Sequence, residues 1–188
     1  MVRYLVMMFS FAIPILAQTA IQGANNKLQE AETRNDKAAL VRYIDPSGLA
    51  VNPRFTQLVD IEGGRTILIS GQAAYDKEGK VVGKGDIRAQ SAQVFENLKI
   101  ALAAVGASFN DVVKLTTFMV DMPTNLPGYR DIRAQYLANN QHPPASTTIG
   151  VAALVNSDLL LEVEAVAVVS AKNGKGSRVT RPSGDRVK

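Results

Sequence analysis

The chain has 188 residues, 46% of them hydrophobic and 20% charged, with a formal net charge of +4. That composition suits an ordinary globular domain with appendages and excludes a wholly disordered, collagen-like or coiled-coil chain. With no cysteine and a single histidine, His142, the sequence also excludes disulfides, a thiol nucleophile, a Cys-ligated metal and a His-cluster metal site.

The first segment reads as an address. Arg3 precedes an apolar run at 4–16, Ala17 follows, and polar Gln18 and Thr19 come next. This is the layout of a secretory signal: a basic start, an apolar stretch and a small residue at the cleavage site. The run is about 13 residues long, short of the ~20 that a bilayer-spanning helix requires. Residues 1–17 are expected to be a signal peptide cleaved after Ala17, with the protein exported to the periplasm or secreted; the alternative is a cytoplasmic protein whose N-terminal segment is not a functional signal. No membrane span is expected in the mature chain. Residues 18–41 carry Lys27, Glu30, Glu32, Arg34, Asp36 and Lys37 and hold too few apolar side chains for a core. They read as a polar linker.

The folded body is expected over 42–169. Residues 55–61 alternate and read as a strand, Gly63 and Gly64 make a tight turn, and β-branched 65–70 completes a hairpin that Gly71 ends. Residues 75–85 form a loop punctuated by Gly79, Gly83 and Gly85, without the lysine–hydroxyl pair or the spacing of a phosphate loop. Asp86 suits a helix N-cap. Behind it Ile87, Val94, Phe95, Leu98, Ala101, Leu102 and Val105 recur at helical spacing, and Gly106 is a natural stop. Residues 112–120 form a strand. The stretch 123–128 breaks the chain, and a second amphipathic helix carries Tyr129, Ile132, Tyr136 and Leu137 until His142, Pro143 and Pro144 forbid its continuation. A short strand at 146–151, a turn at 156–158 and a long strand at 159–169 complete the body.

The order β-β-α-β-α-β-β predicts an α+β sandwich with both helices on one face of a mixed sheet. The other sheet face is expected to show apolar side chains such as Leu115, Phe118, Val166 and Val168, and such a face predicts association. Residues 170–188 hold an excess of five positive charges, so the positive balance lies in this stretch. It reads as a basic disordered tail. Base-stacking aromatics and a basic folded face are missing, so no nucleic-acid partner is expected.

Four stretches together carry a family likeness: ISGQ at 69–72, the helix at 90–106, VKLTTF at 113–118 with Asp121, and PAST at 144–147 followed by LEVEA at 161–165. In order and spacing they resemble the RidA (YjgF/YER-type) family over roughly residues 54–169. The resemblance implies a chorismate-mutase-like fold and a homotrimer with ligand clefts between subunits. It also implies hydrolysis of reactive enamines and imines to carbonyl compounds and ammonia, with no metal or organic cofactor. Ser70 and Gly71 match the strand-end pair that touches substrate in the family. Phe55 falls where the family often has a cleft tyrosine, and Arg130 falls near its helix asparagine. Glu162 matches the carboxylate proposed to position the hydrolytic water.

One departure stands out. The active deaminases carry Pro-Ala-Arg, whose arginine grips the substrate carboxylate, whereas this chain has Pro144, Ala145 and Ser146. A serine supplies no planar charged fork, and losing a bidentate pair costs ~10²–10⁴ in kcat/KM at ~1.5–3 kcal/mol per charged hydrogen bond. The chain is similar to an arginine-less branch of the family.

Glu162 and Glu164 lie two apart on a strand and share a face. Such a pair either raises one pKa into the acid–base range or meets a Lys or Arg across a subunit boundary. Ser146 and Thr147 either hydrogen-bond a neutral ligand or serve as ordinary strand residues. Arg130 and Arg133 on the second helix either restore an anion contact from a new direction or form a solvated face. His142, before two prolines, reads as structural or exposed. The expected function is an imine or enamine deaminase of altered specificity. The alternative is a non-catalytic trimeric protein that binds a small metabolite.

Overall fold

The computed structural model describes residues 39–170, together with positions 22, 23 and 26. The expected signal peptide, most of the linker and the basic tail lie outside the described residues. The elements in chain order are β1 (Leu40–Ile44), β2 (Leu58–Glu62), β3 (Arg65–Ala73), α1 (Ile87–Ala104), a 3₁₀ turn (Phe109–Asp111), β4 (Val112–Val120), α2 (Met122–Tyr136), β5 (Ala145–Val151) and β6 (Leu161–Val169).

The main sheet has the order β3-β6-β4-β5. β4 and β5 run parallel, while β6 is antiparallel to both of its neighbours. The parallel pair needs a crossover, and α2 supplies it. Leu161, Val163, Ala165 and Ala167 of β6 and Leu115 and Met119 of β4 are buried in one core with Val94, Phe95, Leu98 and Leu102 of α1. The α+β architecture with two helices on a mixed sheet is therefore as expected. Phe95 of α1 stacks on Tyr129 and Tyr136 of α2, with ring centroids 6.2 and 5.0 Å away. The Tyr136 hydroxyl donates to Glu96 across the helices at 2.8 Å, and burial together with that carboxylate pushes its pKa up to about 12.

Local signals placed α1 well. The Asp86 carboxylate accepts from the Arg88 and Ala89 amides at 2.8 and 3.1 Å, and Gly106 takes a positive φ just past the helix end. α2 starts earlier than expected, at Met122. Pro123 falls in its first turn, where no amide donor is needed, and Pro127 is carried inside the helix. Asp121 precedes it with φ of 44°.

Three expectations about strands are corrected. The 55–61 and 65–70 hairpin does not form. β2 instead pairs antiparallel with β1, a strand that begins at Leu40 within the stretch read as linker, and β3 pairs with β6. The β1–β2 ribbon carries an Arg42–Asp60 ion pair. Leu115 does not belong to the open sheet face, because it pairs with Ala165 and both are buried toward the helices. It cannot share a face with Phe118, which is an odd number of positions away. Val168 is also buried, since the Gly64 turn lies over it. Finally, Gly71 does not end β3. The strand continues to Ala73 through a bulge.

Candidate functional site

The bulge sets up the first part of the site. Ile69 pairs with Ala165 and Gln72 with Val163, so β3 fits one extra residue opposite Glu164. Ser70 and Gly71 occupy that bulge. A Cβ on Gly71 would stand 2.6 Å from Glu162 Cδ and overlap its carboxylate. Glu162 thus lies against bare backbone, half-buried, on the wall of a cleft of about 710 Å³. Gln72, Tyr75, Gln93 and Asn97 line the same cleft. Asn97 Nδ2 donates to the Ala73 and Tyr75 carbonyls at 3.0 and 2.9 Å, and Gln93 donates to Asn97 Oδ1 at 2.9 Å. These amides tie α1 to the end of β3 and fix the cleft wall. Their signal in the sequence was slight: two amides four apart beside the apolar stripe of α1.

Ser70 faces a separate groove on the open sheet face with Lys114, Thr116 and Glu164. Lys114 Nζ donates to Thr147 Oγ1 at 2.5 Å. Glu162 and Glu164 share the face, as their spacing required. Among the described residues neither forms an ion pair with a Lys or Arg.

Ser146 and Thr147 are neighbours on β5 and point to opposite faces. Ser146 lines a cleft of about 220 Å³ on the helix side with Phe55, Thr148, Arg130 and Arg133. Arg130 is exposed, and Arg133, one helical turn on, is 8% exposed. Arg133 Nη1 donates to the Arg54 carbonyl at 3.0 Å, whereas its Nε and Nη2 are buried with no hydrogen-bond partner. Burial holds its pKa below the ordinary guanidinium value. The Tyr129 hydroxyl opposes that shift and the Arg130 charge adds to it. One chain therefore gathers Gly71 with Glu162 in one place and Phe55, Arg130 and Ser146 in another, with Ser70 and Thr147 on the open face. His142 is exposed and stacks on Tyr43, its ring centroid 4.9 Å away.

Among the described residues, no group of three or more His, Asp or Glu is placed to hold a metal, and no helix is long and apolar enough to cross a membrane. The model of the family described as Endoribonuclease L-PSP matches residues 47–169. The chain belongs to the RidA/YjgF family. This RidA-family chain is 39% identical to a RutC family protein of Pyrococcus horikoshii over 108 residues, which are 57% of this chain and 82% of the relative. It is 33% identical to the 2-iminobutanoate/2-iminopropanoate deaminase of Salmonella typhimurium over 119 residues, 63% of this chain and 89% of that enzyme. Among solved structures it is similar to the Rid-family protein YyfB of Yersinia pestis, a protein of unknown function. That match has a TM-score of 0.63 and 38% identity, and it covers 69% of this chain and 98% of the other. The RidA match contains both clefts and the bulge, and leaves out only β1 among the strands.

Proposed function

We propose that the protein hydrolyses a small imine or enamine to a carbonyl compound and ammonia, with Glu162 orienting the water. The observation that carries this reading is the Glu162 carboxylate seated against Gly71 on the wall of the larger cleft. The likeness to relatives named 2-iminobutanoate/2-iminopropanoate deaminase supports it. Glu162 takes a proton from water as the water oxygen bonds to the imine carbon. That proton passes to nitrogen, giving a carbinolamine. Transfer of the hydroxyl proton to nitrogen then closes the C=O bond as the C–N bond breaks and ammonia leaves.

Ser146, in place of the family arginine, removes a charged fork from the substrate site and alters specificity. The active assembly is a homotrimer. In it the Phe55–Arg130–Ser146 cleft of one subunit meets the Gly71–Glu162 wall of the next, and for that reason one chain does not gather them. Residues 1–17 direct its export.

The test is hydrolysis by purified protein of imines made in situ by an amino-acid oxidase and trapped with semicarbazide. Wild-type turnover that falls about 10²-fold or more in Glu162→Gln supports the reading, that being the usual weight of a positioned acid–base group. Absence of wild-type turnover, with a small metabolite still raising the melting temperature, favours the non-catalytic binding protein.

A further inference from the structure

Buried guanidinium groups are normally matched by carboxylates or fully hydrogen-bonded, because leaving such donors orphaned away from water is costly. Arg133 breaks that rule. It is 8% exposed, and only its Nη1 has a partner, the Arg54 carbonyl at 3.0 Å. Nε and Nη2, the two orphans, form one straight edge of the guanidinium plane. That edge presents two parallel N–H donors at the spacing of the two oxygens of a carboxylate.

The surroundings have the matching sign. Two clefts, of about 220 and 250 Å³, meet at this side chain, and both are lined by Arg54, Arg130 and Arg133. No Asp or Glu lines either cleft, and among the described residues none of the three arginines is in an ion pair. Ser146 and Thr148 add hydroxyls on the β5 side, and Phe55 adds an apolar wall. Within one chain this is a concave patch of three arginines with no carboxylate, walled by the buried Arg133, and it is complementary to a small organic anion.

We propose that Arg133, flanked by Arg130 and Ser146, is a carboxylate-binding residue. A planar monocarboxylate is gripped by its Nε/Nη2 edge, and the Arg54 carbonyl fixes the orientation of that edge. The proposal deepens the deaminase reading by giving its substrate a carboxylate, but the binding itself requires no turnover.

The test uses the full chain at low ionic strength with propionate, its neutral isostere propionamide, and inorganic phosphate, followed by calorimetry. Propionate should bind and propionamide should bind at least tenfold more weakly. Arg133→Lys keeps the charge and loses the two-donor edge, so propionate affinity should fall tenfold or more. Arg130→Ala should lower it by a smaller factor. Because Arg133 is buried, the wild-type protein supplies a second measurement. Propionate titration should shift the Arg133 side-chain Nε–H resonance in ¹⁵N spectra. Equal binding of propionate and propionamide overturns the proposal, as does phosphate binding more tightly than propionate. So does an unmoved Nε–H signal, or propionate binding that Arg133→Lys leaves intact. An Arg133→Lys chain that loses its oligomeric state, with no propionate binding in wild type, assigns the fork to a neighbouring subunit and also overturns it. Imine turnover undiminished in Arg133→Lys defeats this inference and leaves the deaminase reading standing. Propionate binding without any turnover does the reverse.

Discussion

Gly71 has no side chain because the Glu162 carboxylate occupies the space where one would stand. Glu162 meets the overlap with the far end of a flexible side chain, which can swing away at little cost. Gly71→Ala should therefore leave the melting temperature nearly unchanged while moving the carboxylate. Misplacement on the scale of 1 Å costs about 10²-fold in rate, so imine turnover should drop by that order. A large loss of stability in a thermal melt would show that the glycine serves the fold and not the carboxylate. The shared face of Glu162 and Glu164 was legible from spacing alone, because alternation is a property of any strand. The opposite faces of Ser146 and Thr147 follow from the same rule. Arg133 was legible as a candidate but not as a buried one. A charged residue on an amphipathic helix is usually solvated. What covers this one is the Arg54 turn, far away in sequence, whose carbonyl it holds.

Among elements, α1 was legible at both ends because its signals are local: a side chain that caps its own first turn, and a glycine just past its last. Partner choice between strands is not local. Gly63 and Gly64 suggested a hairpin, yet β2 found β1 and β3 found β6. One residue on α1 does more than its helical position indicates. Gln90 is fully buried and donates to the Gly83 and Asp158 carbonyls at 3.2 and 2.7 Å, while its Oε1 accepts from the Leu160 amide at 2.8 Å. It clamps the loop before α1 to the turn before β6. Gln90→Leu orphans those backbone groups, each at ~1–3 kcal/mol. It should destabilise the protein more than Asp86→Ala, which removes a cap worth ~1 kcal/mol. Urea denaturation of the two variants checks the order, and a Gln90→Leu loss no greater than that of Asp86→Ala contradicts the clamp.

At the scale of the whole molecule, among the described residues one face of the sheet has helices and the other does not. On the bare face Leu68 is 79% exposed and Ile149 39%, beside half-buried Phe118 and Val166. This was anticipated in kind, although two of the four side chains named for that face are buried. A face of this sort is covered by association in the proposed trimer. Sedimentation should give about three times the mass of the single chain, which is 20.2 kDa before residues 1–17 are removed, and Leu68→Lys should shift the balance toward monomer. A wild-type chain that sediments as a monomer removes the trimer and the shared clefts together. The sheet order has a further consequence, for how the protein is made. Among the described residues β6 is the last strand to be synthesised, yet it lies between β3 and β4. Until the ribosome has delivered residue 169, β3 has no partner in the sheet, and its apolar residues wait unpaired on the nascent chain. Closure of the main sheet must therefore wait for β6, although β4 and β5 can pair before it arrives. That leaves an interval in which a chaperone can take hold of the chain, and in which a translational pause before β6 would leave an aggregation-prone edge exposed.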